Sequence, residues 1–478
     1  MSDYEMPGHW IDGRIETDGE WIEVLNPADQ TVIGRVPVAT HARLEAAVEA
    51  AVRGLEIWRK VSPQDRARVL VRAADLLRER ADFIGRQITL EQGKPLDQAR
   101  LEVGRAADIL EWDAAEGRRL YGQVIPAPHG MTYTATHHPI GVVAAFTPWN
   151  YPIASPSRKV AGALAAGCSV ILKPSEETPA GAFHLASALA DAGLPAGVLN
   201  LVYGYPEPIS DFLVRHPDIR MVTLTGSVPV GRKVAALAGE YMKPSIMELG
   251  GHAPVIICED ADPDRAAELA VLGKSMNAGQ VCVAPTRFYV AESLFERFRD
   301  AMAEGARKLR MGPGLAADTQ LGPLANARRI SAIETLVADA VKQGARLNAP
   351  ADVPRTNAGY FHPLTILSEV PESARIMQEE PFGPVAMINP VSSVEHAIVQ
   401  ANRLPFGLSA YAFTRSAGLV RLLSEEIQSG TLAINHFGAS VPETPFGGVK
   451  DSGFGREGGA HGVAAFTTVK TVAHLAEV

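Results

Sequence analysis

Cysteine is scarce in this chain, with three in 478 residues. That excludes a disulfide framework, and no C-x-x-C or H-E-x-x-H spacing offers a zinc site, so no metal is expected. Long hydrophobic runs are also lacking. The longest near-uniform apolar stretch, 160–172, falls well short of the ~20 residues that span a bilayer. Basic clusters are absent too: the net charge of −9 is spread along the chain, which argues against nucleic acid and anionic membrane as partners. The first residues, Met1-Ser-Asp-Tyr-Glu-Met-Pro7, are acidic and do not have the basic-then-apolar layout of a secretory signal. A soluble cytoplasmic protein is the expectation. What is present is ordinary for a globular chain, 46% hydrophobic and 21% charged, and the length calls for two or three domains.

Read in order, residues 9–37 suggest short strands around an Asp12-Gly13 turn. Helices follow: Thr40 caps one to about Trp58, Ser62-Pro63 opens a long amphipathic one to about Glu91, and Pro95 opens a third to about Leu120. Residues 121–138 read as an extended hairpin. From Gly141 apolar strands and helices alternate strictly, with strands at Val142–Phe146, Ser169–Lys173, Val198–Val202, Met221–Thr225 and Ser245–Leu249. That rhythm implies a parallel sheet with ligands at the strand carboxyl ends. A second block, to about Ala433, places strands near 253–258, 286–290, 385–388 and 431–435. A glycine-dense loop, Pro445 to Gly459, and a strand-like tail close the chain.

Three turns just after strands carry candidate chemistry, and so does one cysteine. Cys282 lies in the polar segment Ser275-Met-Asn-Ala-Gly-Gln-Val-Cys-Val-Ala-Pro285, whereas Cys168 and Cys258 sit in apolar surroundings and read as small buried hydrophobes. Thr225-Gly-Ser227 opens a helix and leaves backbone N–H groups for a pyrophosphate, or is a plain strand-to-helix turn. Glu176 could accept the hydroxyls of a ribose, or stand solvated in the next helix's first turn. Asn150 could donate to a developing oxyanion, or cap a helix. Glu248 interrupts an apolar strand end ahead of two glycines, so it either faces a cavity, as a general base in a partly apolar cleft would, or stands at a strand edge.

Taken with Lys173-Pro-Ser-Glu-Glu-Thr-Pro179, Glu379-Glu-Pro-Phe-Gly-Pro384 and Pro445-Phe-Gly-Gly448, these motifs resemble the aldehyde dehydrogenase superfamily over nearly the whole chain. The resemblance implies an α/β architecture of two Rossmann-like parallel-sheet domains and a small β oligomerisation hairpin. Residues 1–119 and 140–250 would bind NAD, 251–465 would form the catalytic domain, and 120–139 with 466–478 would join subunits into a homodimer or homotetramer. It implies oxidation of an aldehyde to an acid through a thiohemiacetal and a thioester on Cys282. Asn150 and the Cys282 N–H would hold the oxyanion, Glu248 would activate water, and Lys159 and Glu457 would relay protons or support the base. Cofactor contacts would come from Trp149, Lys173, Ser175, Glu176, Gly204, Gly226, Ser227, Val230, Glu380 and Phe382. A carboxylate at Glu176 would repel a 2′-phosphate, which favours NAD over NADP.

The segment 435–459 is most similar to the succinate-semialdehyde branch. Arg158 stands where that branch grips a carboxylate and Ser440 lies near its serine, although Arg158 also reads as a surface helix charge. The branch's second arginine is replaced by Met276, a thioether suited to an apolar or aromatic aldehyde. A small semialdehyde such as succinate semialdehyde is the first expectation for substrate, and an apolar or aromatic aldehyde the alternative. A relative that passes its thioester to coenzyme A would lack Glu248, and a non-catalytic relative would not need Cys282.

Overall fold

A computed structural model describes residues 4–349 and 358–476; the ends of the expected outer segments, 1–3 and 477–478, and residues 350–357 of the expected catalytic domain lie outside them. Two sheets dominate. The first has eight strands in the order Arg14–Glu16, His9–Ile11, Leu199–Leu201, Ser169–Lys173, Val142–Phe146, Ile219–Gly226, Ser245–Leu249 and Gly453–Phe454. Its five inner strands are parallel and its two edges antiparallel. The inner strands are largely apolar because helices cover both faces, with Lys173, Asn200, Thr223 and Glu248 among the buried polar exceptions. Side chains alternate accordingly: Val143, Ala145, Val170 and Leu172 enter one core, and Val142, Ala144, Phe146 and Ile171 the other.

The second sheet has seven strands in the order Arg346–Ala349, Thr365–Ser368, Val385–Val391, Pro285–Ala291, Ala253–Ile257, Ser409–Phe413 and Thr431–Ile434, parallel except for the first. A third sheet pairs Gln123–Ile125, Met131–Pro139 and the tail strand Thr467–Leu475. The Gly453–Phe454 edge strand belongs to the glycine-dense loop, and it ties that loop to Met247 and Glu248. Thus the end of one sheet meets the other where Glu248 lies.

Helix starts follow the expected chemistry. The Thr40 hydroxyl accepts from Arg43 N–H, and Ser62 accepts from Asp65 N–H ahead of Pro63. One helix differs from expectation. The stretch 63–91 is two helices, Pro63–Glu79 and Ala81–Gln92, broken at Arg80 with φ −99° and ψ 7°. Each half buries its own stripe, Leu70, Ala73 and Leu77 in the first and Ile84 and Ile88 in the second, against Leu96–Gly117. A single straight rod could not present both stripes to the same neighbour. Among the described residues no helix is long and apolar enough to cross a membrane.

Candidate active site

Between the two large sheets lies a cavity of about 550 Å³, lined by residues from both. Cys282 reaches its wall from the segment that joins helix Pro263–Ser275 to strand Pro285–Ala291. That segment turns through three successive left-handed residues, Asn277 (φ 47°), Ala278 (φ 51°) and Gly279 (φ 70°). A Cβ on Gly279 would stand 2.3 Å from the Gly383 carbonyl oxygen, so the turn admits glycine alone there. Opposite, a Cβ on Gly251 would meet the Cys282 carbonyl at 2.9 Å. The glycine pair after Glu248 is what lets the cysteine loop approach the strand end.

A hydrogen-bonded frame holds this turn. Gln98 Oε1 accepts from Asn277 N–H (2.8 Å), Gln280 Oε1 accepts from Ala325 N–H (2.9 Å), and Tyr411 donates to Val283 O (2.6 Å). Asn150 is buried, and its amide nitrogen donates one hydrogen to Gln280 O at 3.0 Å. The amide carries a second hydrogen, and the side chain is on the cavity wall. Its backbone carbonyl accepts from Lys94 Nζ (2.8 Å) and Asn277 Nδ2 (2.9 Å). Lys94 in turn pairs with Glu102, whose other oxygen accepts from the N–H groups of Ile153 and Ala154 at the start of helix Ala154–Ala166. Lys94, Gln98 and Glu102 were missed in the sequence. The one signal was a lysine between glycine and proline in Gln92-Gly-Lys-Pro95, where a charge stands beside a helix break.

Around the sulfur the charges are carboxylates. Burial, then the fields of Glu248 and Glu380, push the Cys282 thiol well above its ordinary range. Glu248 is itself buried, with Oε1 lacking a hydrogen-bond partner. Burial raises it to about 8, helped by Glu457 and opposed by Lys159 and Arg158. Lys159 and Glu457 form a buried ion pair, and Lys159 Nζ also reaches the Thr223 hydroxyl at 3.2 Å. Glu380 is raised to about 7 by burial and accepts from Gly251 N–H at 3.1 Å.

Arg158 is no surface charge. It is 9% exposed, its Nη2 donates to Ser440 Oγ at 2.8 Å, its guanidinium lies 5.2 Å from the Phe446 ring, and Nη1 is buried without a partner. Met276, by contrast, is 41% exposed and is not among the residues lining the cavity.

The other expected cofactor residues form a second group along the carboxyl ends of the first sheet. Lys173 ends its strand and pairs with Glu176 at 2.6 Å, Ser175 accepts from Glu177 N–H, and Gly204 turns at φ 129° after the neighbouring strand. Glu176 is in a turn, and the next helix begins only at Ala180. Ser227 precedes helix Val228–Glu240 and makes no side-chain capping bond, so its hydroxyl and the helix's first N–H groups are uncommitted. Val230, in the first turn, is 47% exposed. The group grades into the cavity through Gly226 and Ser227, with Trp149 and Phe382 edge to face at 5.5 Å on its wall. A dinucleotide suits this donor set: free N–H groups at a helix start for the pyrophosphate, and a lysine–carboxylate pair for a ribose.

Two largely parallel sheets thus meet at a half-buried cysteine and a buried carboxylate, with an open groove alongside. Residues 14–472 match the aldehyde dehydrogenase family, and the chain belongs to it. It is similar to a putative 4-(hydroxymethyl)benzenesulfonate dehydrogenase of Comamonas testosteroni, at 46% identity over 98% of this chain and 97% of that one. It is also similar to the NADP-linked succinate-semialdehyde dehydrogenase of Escherichia coli K12, at 39% identity over 97% and 95%. Among solved structures, an aldehyde dehydrogenase of Brucella melitensis biovar abortus superposes with a TM-score of 0.96 at 38% identity, covering 98% of each chain. Enzymes of this family use NAD or NADP.

Proposed function

We propose that the protein oxidises an aldehyde bearing an anionic group to the corresponding acid, with NAD as the preferred cofactor. The observation that carries the reaction is the meeting of Cys282, Glu248 and the Asn150 amide on one cavity wall. Cys282 Sγ attacks the aldehyde carbon, and Glu248 takes the thiol proton. The developing oxyanion is received by the second Asn150 amide hydrogen and the Cys282 N–H. Bound nicotinamide supplies a hydride acceptor. Glu248 releases that proton to solvent and then takes one from the water that attacks the acyl carbon on sulfur; the C–S bond breaks, the acid leaves and the thiol regains a proton, while the Lys159–Glu457 pair sets the charge around the carboxylate.

Trp149, Gly226, Ser227, Glu380 and Phe382 would hold the nicotinamide and pyrophosphate side, and Lys173, Ser175, Glu176, Gly204 and Val230 the adenosine side. Glu176 supports NAD, because its carboxylate would repel a 2′-phosphate. Comparing kcat/KM for NAD and NADP tests this: Glu176→Ser should narrow the gap, and a wild-type preference for NADP would overturn it.

The unpartnered Arg158 Nη1 supports an anionic substrate, and succinate semialdehyde is the first candidate. A second reading, an aromatic aldehyde, is favoured by the rings of Trp149, Tyr151 and Phe446 on the cavity wall and by the relative named for a benzenesulfonate. NADH formation over an aldehyde panel separates them. Cys282→Ala should abolish activity with every aldehyde, and Glu248→Gln should keep a burst while losing turnover. Activity surviving Cys282→Ala would sink the mechanism. The same reading divides the chain as expected from sequence and assigns the third sheet to subunit contact, since it exposes Val124, Val469 and Val472. A dimer or tetramer is then the form to look for by sedimentation. A cytoplasmic setting belongs to this reading as well.

A further inference from the structure

One face of helix Leu96–Gly117 serves the cavity at successive turns. Gln98 holds the Asn277 N–H and Glu102 caps helix Ala154–Ala166. Three residues on, Arg105 lines the cavity from its exposed mouth and donates through Nη1 to the Ser440 carbonyl at 2.9 Å. Arg158 holds the hydroxyl of that same serine from the buried side. Two guanidiniums therefore converge on Ser440. The side-chain bonds they make are to Ser440, and Arg158 keeps a buried N–H donor without a partner. The carboxylates of Glu457, Asp113 and Glu248 act on Arg158 from the buried side while the charge of Arg105 opposes it; an anion between the two guanidiniums turns their mutual repulsion into attraction to it.

We propose that Arg105 is a specificity residue: with Arg158 and Ser440 it forms a two-guanidinium receptor for the anionic end of the substrate, reaching towards the cavity mouth. This deepens the anionic-aldehyde reading and rests on it. Arg105 supplies from a helix the second cation that position 276 does not. Its place at the mouth suits an anion held far from the carbonyl, as in a para-substituted benzaldehyde. Carboxylate and sulfonate share the required chemistry, and a sulfonate's three oxygens make fuller use of two guanidiniums than a carboxylate's two.

The test is steady-state kinetics of wild type, Arg105→Gln, Arg105→Lys and Arg158→Leu on 4-formylbenzenesulfonate, 4-carboxybenzaldehyde, succinate semialdehyde and benzaldehyde. Arg105→Gln should raise KM for the two para-anionic aldehydes about tenfold or more, with kcat and all benzaldehyde constants nearly unchanged. Arg105→Lys should recover part of the loss. A larger penalty for the sulfonate than for the carboxylate would identify the sulfonate as the better-fitted anion; the reverse would identify the carboxylate. Equal losses on benzaldehyde would show that Arg105 only props the Ser440 loop, and no loss on any anion would overturn the receptor. A wild type that does not prefer anionic aldehydes would sink the underlying reading as well. A preference lost in Arg158→Leu but kept in Arg105→Gln would sink only the role of Arg105.

Discussion

The pH dependence of thioester hydrolysis reads the charge balance around Glu248 directly. With its carboxyl raised to about 8, roughly a tenth is ionised at pH 7 and most of it above pH 9. The base-dependent rate should therefore climb about tenfold across that interval and then level. Glu457 pushes Glu248 up and Lys159 pulls it down, so the two partners of one ion pair predict opposite shifts. Glu457→Gln lowers the midpoint of the limb; a fall of about one unit would bring the ionised fraction at pH 7 to about half and raise the rate there about fivefold. Lys159→Met moves the midpoint up and lowers the neutral rate. That variant also leaves Glu457 buried without a partner, which costs about 3–5 kcal/mol, so its kinetics belong well below its melting range. A p-nitrophenyl ester acylates a thiol without a redox step, and its burst and steady slope separate acylation from hydrolysis. Shifts in the same direction for both variants, or no shift in either, would refute the assignment of Glu248 as the base.

Lys94→Met should lower kcat more than it alters KM, because it frees the Asn150 carbonyl and leaves Glu102 buried and unpaired; a stability loss of about 3–5 kcal/mol by denaturant titration accompanies it. Gly279→Ala should abolish activity and destabilise the fold, whereas Ala278→Gly should be neutral or stabilise by up to about 1 kcal/mol, since it relieves a left-handed alanine; melting temperatures compare the two. Glu248→Gln should melt higher than wild type at high pH. The folded carboxyl, raised to about 8, contributes a stability present at low pH that is lost as pH rises from about 4.5 through 8, and glutamine has no such loss. Identical Tm-against-pH curves would contradict the buried position.

The parallel strands that carry the site were legible because their apolar runs are short and bounded by glycine and proline; Val142–Phe146, Ser169–Lys173 and Ser245–Leu249 stand at the expected residues. Thr365–Ser368 and Ser409–Phe413 were not seen, since each is a brief run next to other apolar stretches and is defined as a strand only by its neighbours in the sheet. The break at Arg80 was hidden for a related reason: a continuous helical pattern does not say where two stripes must turn to share one partner. At the site, Cys282, Glu248, Asn150, Arg158 and Ser440 come together from segments up to about 290 residues apart, a proximity no local pattern contains. Arg105 was illegible in another way. On an amphipathic helix rich in charges, nothing in the sequence separates an arginine facing a cavity from one facing solvent.

The charges around Cys282 also decide how its thiol must be used. No histidine or lysine is among the residues lining the cavity with it, and the groups acting on it are two carboxylates that oppose ionisation. The sulfur lies in the field of Glu248, so the two titrate as an interacting pair, and the first proton lost belongs to both. A second negative charge in that buried space is resisted. On the proposed mechanism the thiol is then not a standing thiolate, and attack draws its proton through Glu248, the group that later serves the water. Iodoacetamide alkylation reports this, because only the thiolate reacts. In wild type the reaction should stay slow through pH 8–9, where the Glu248 charge is developing. In Glu248→Gln the opposing charge is gone, and alkylation should speed up over that range even though turnover is lost. Slower alkylation in the variant would mean that Glu248 assists the standing ionisation of Cys282, and the paired titration would be wrong.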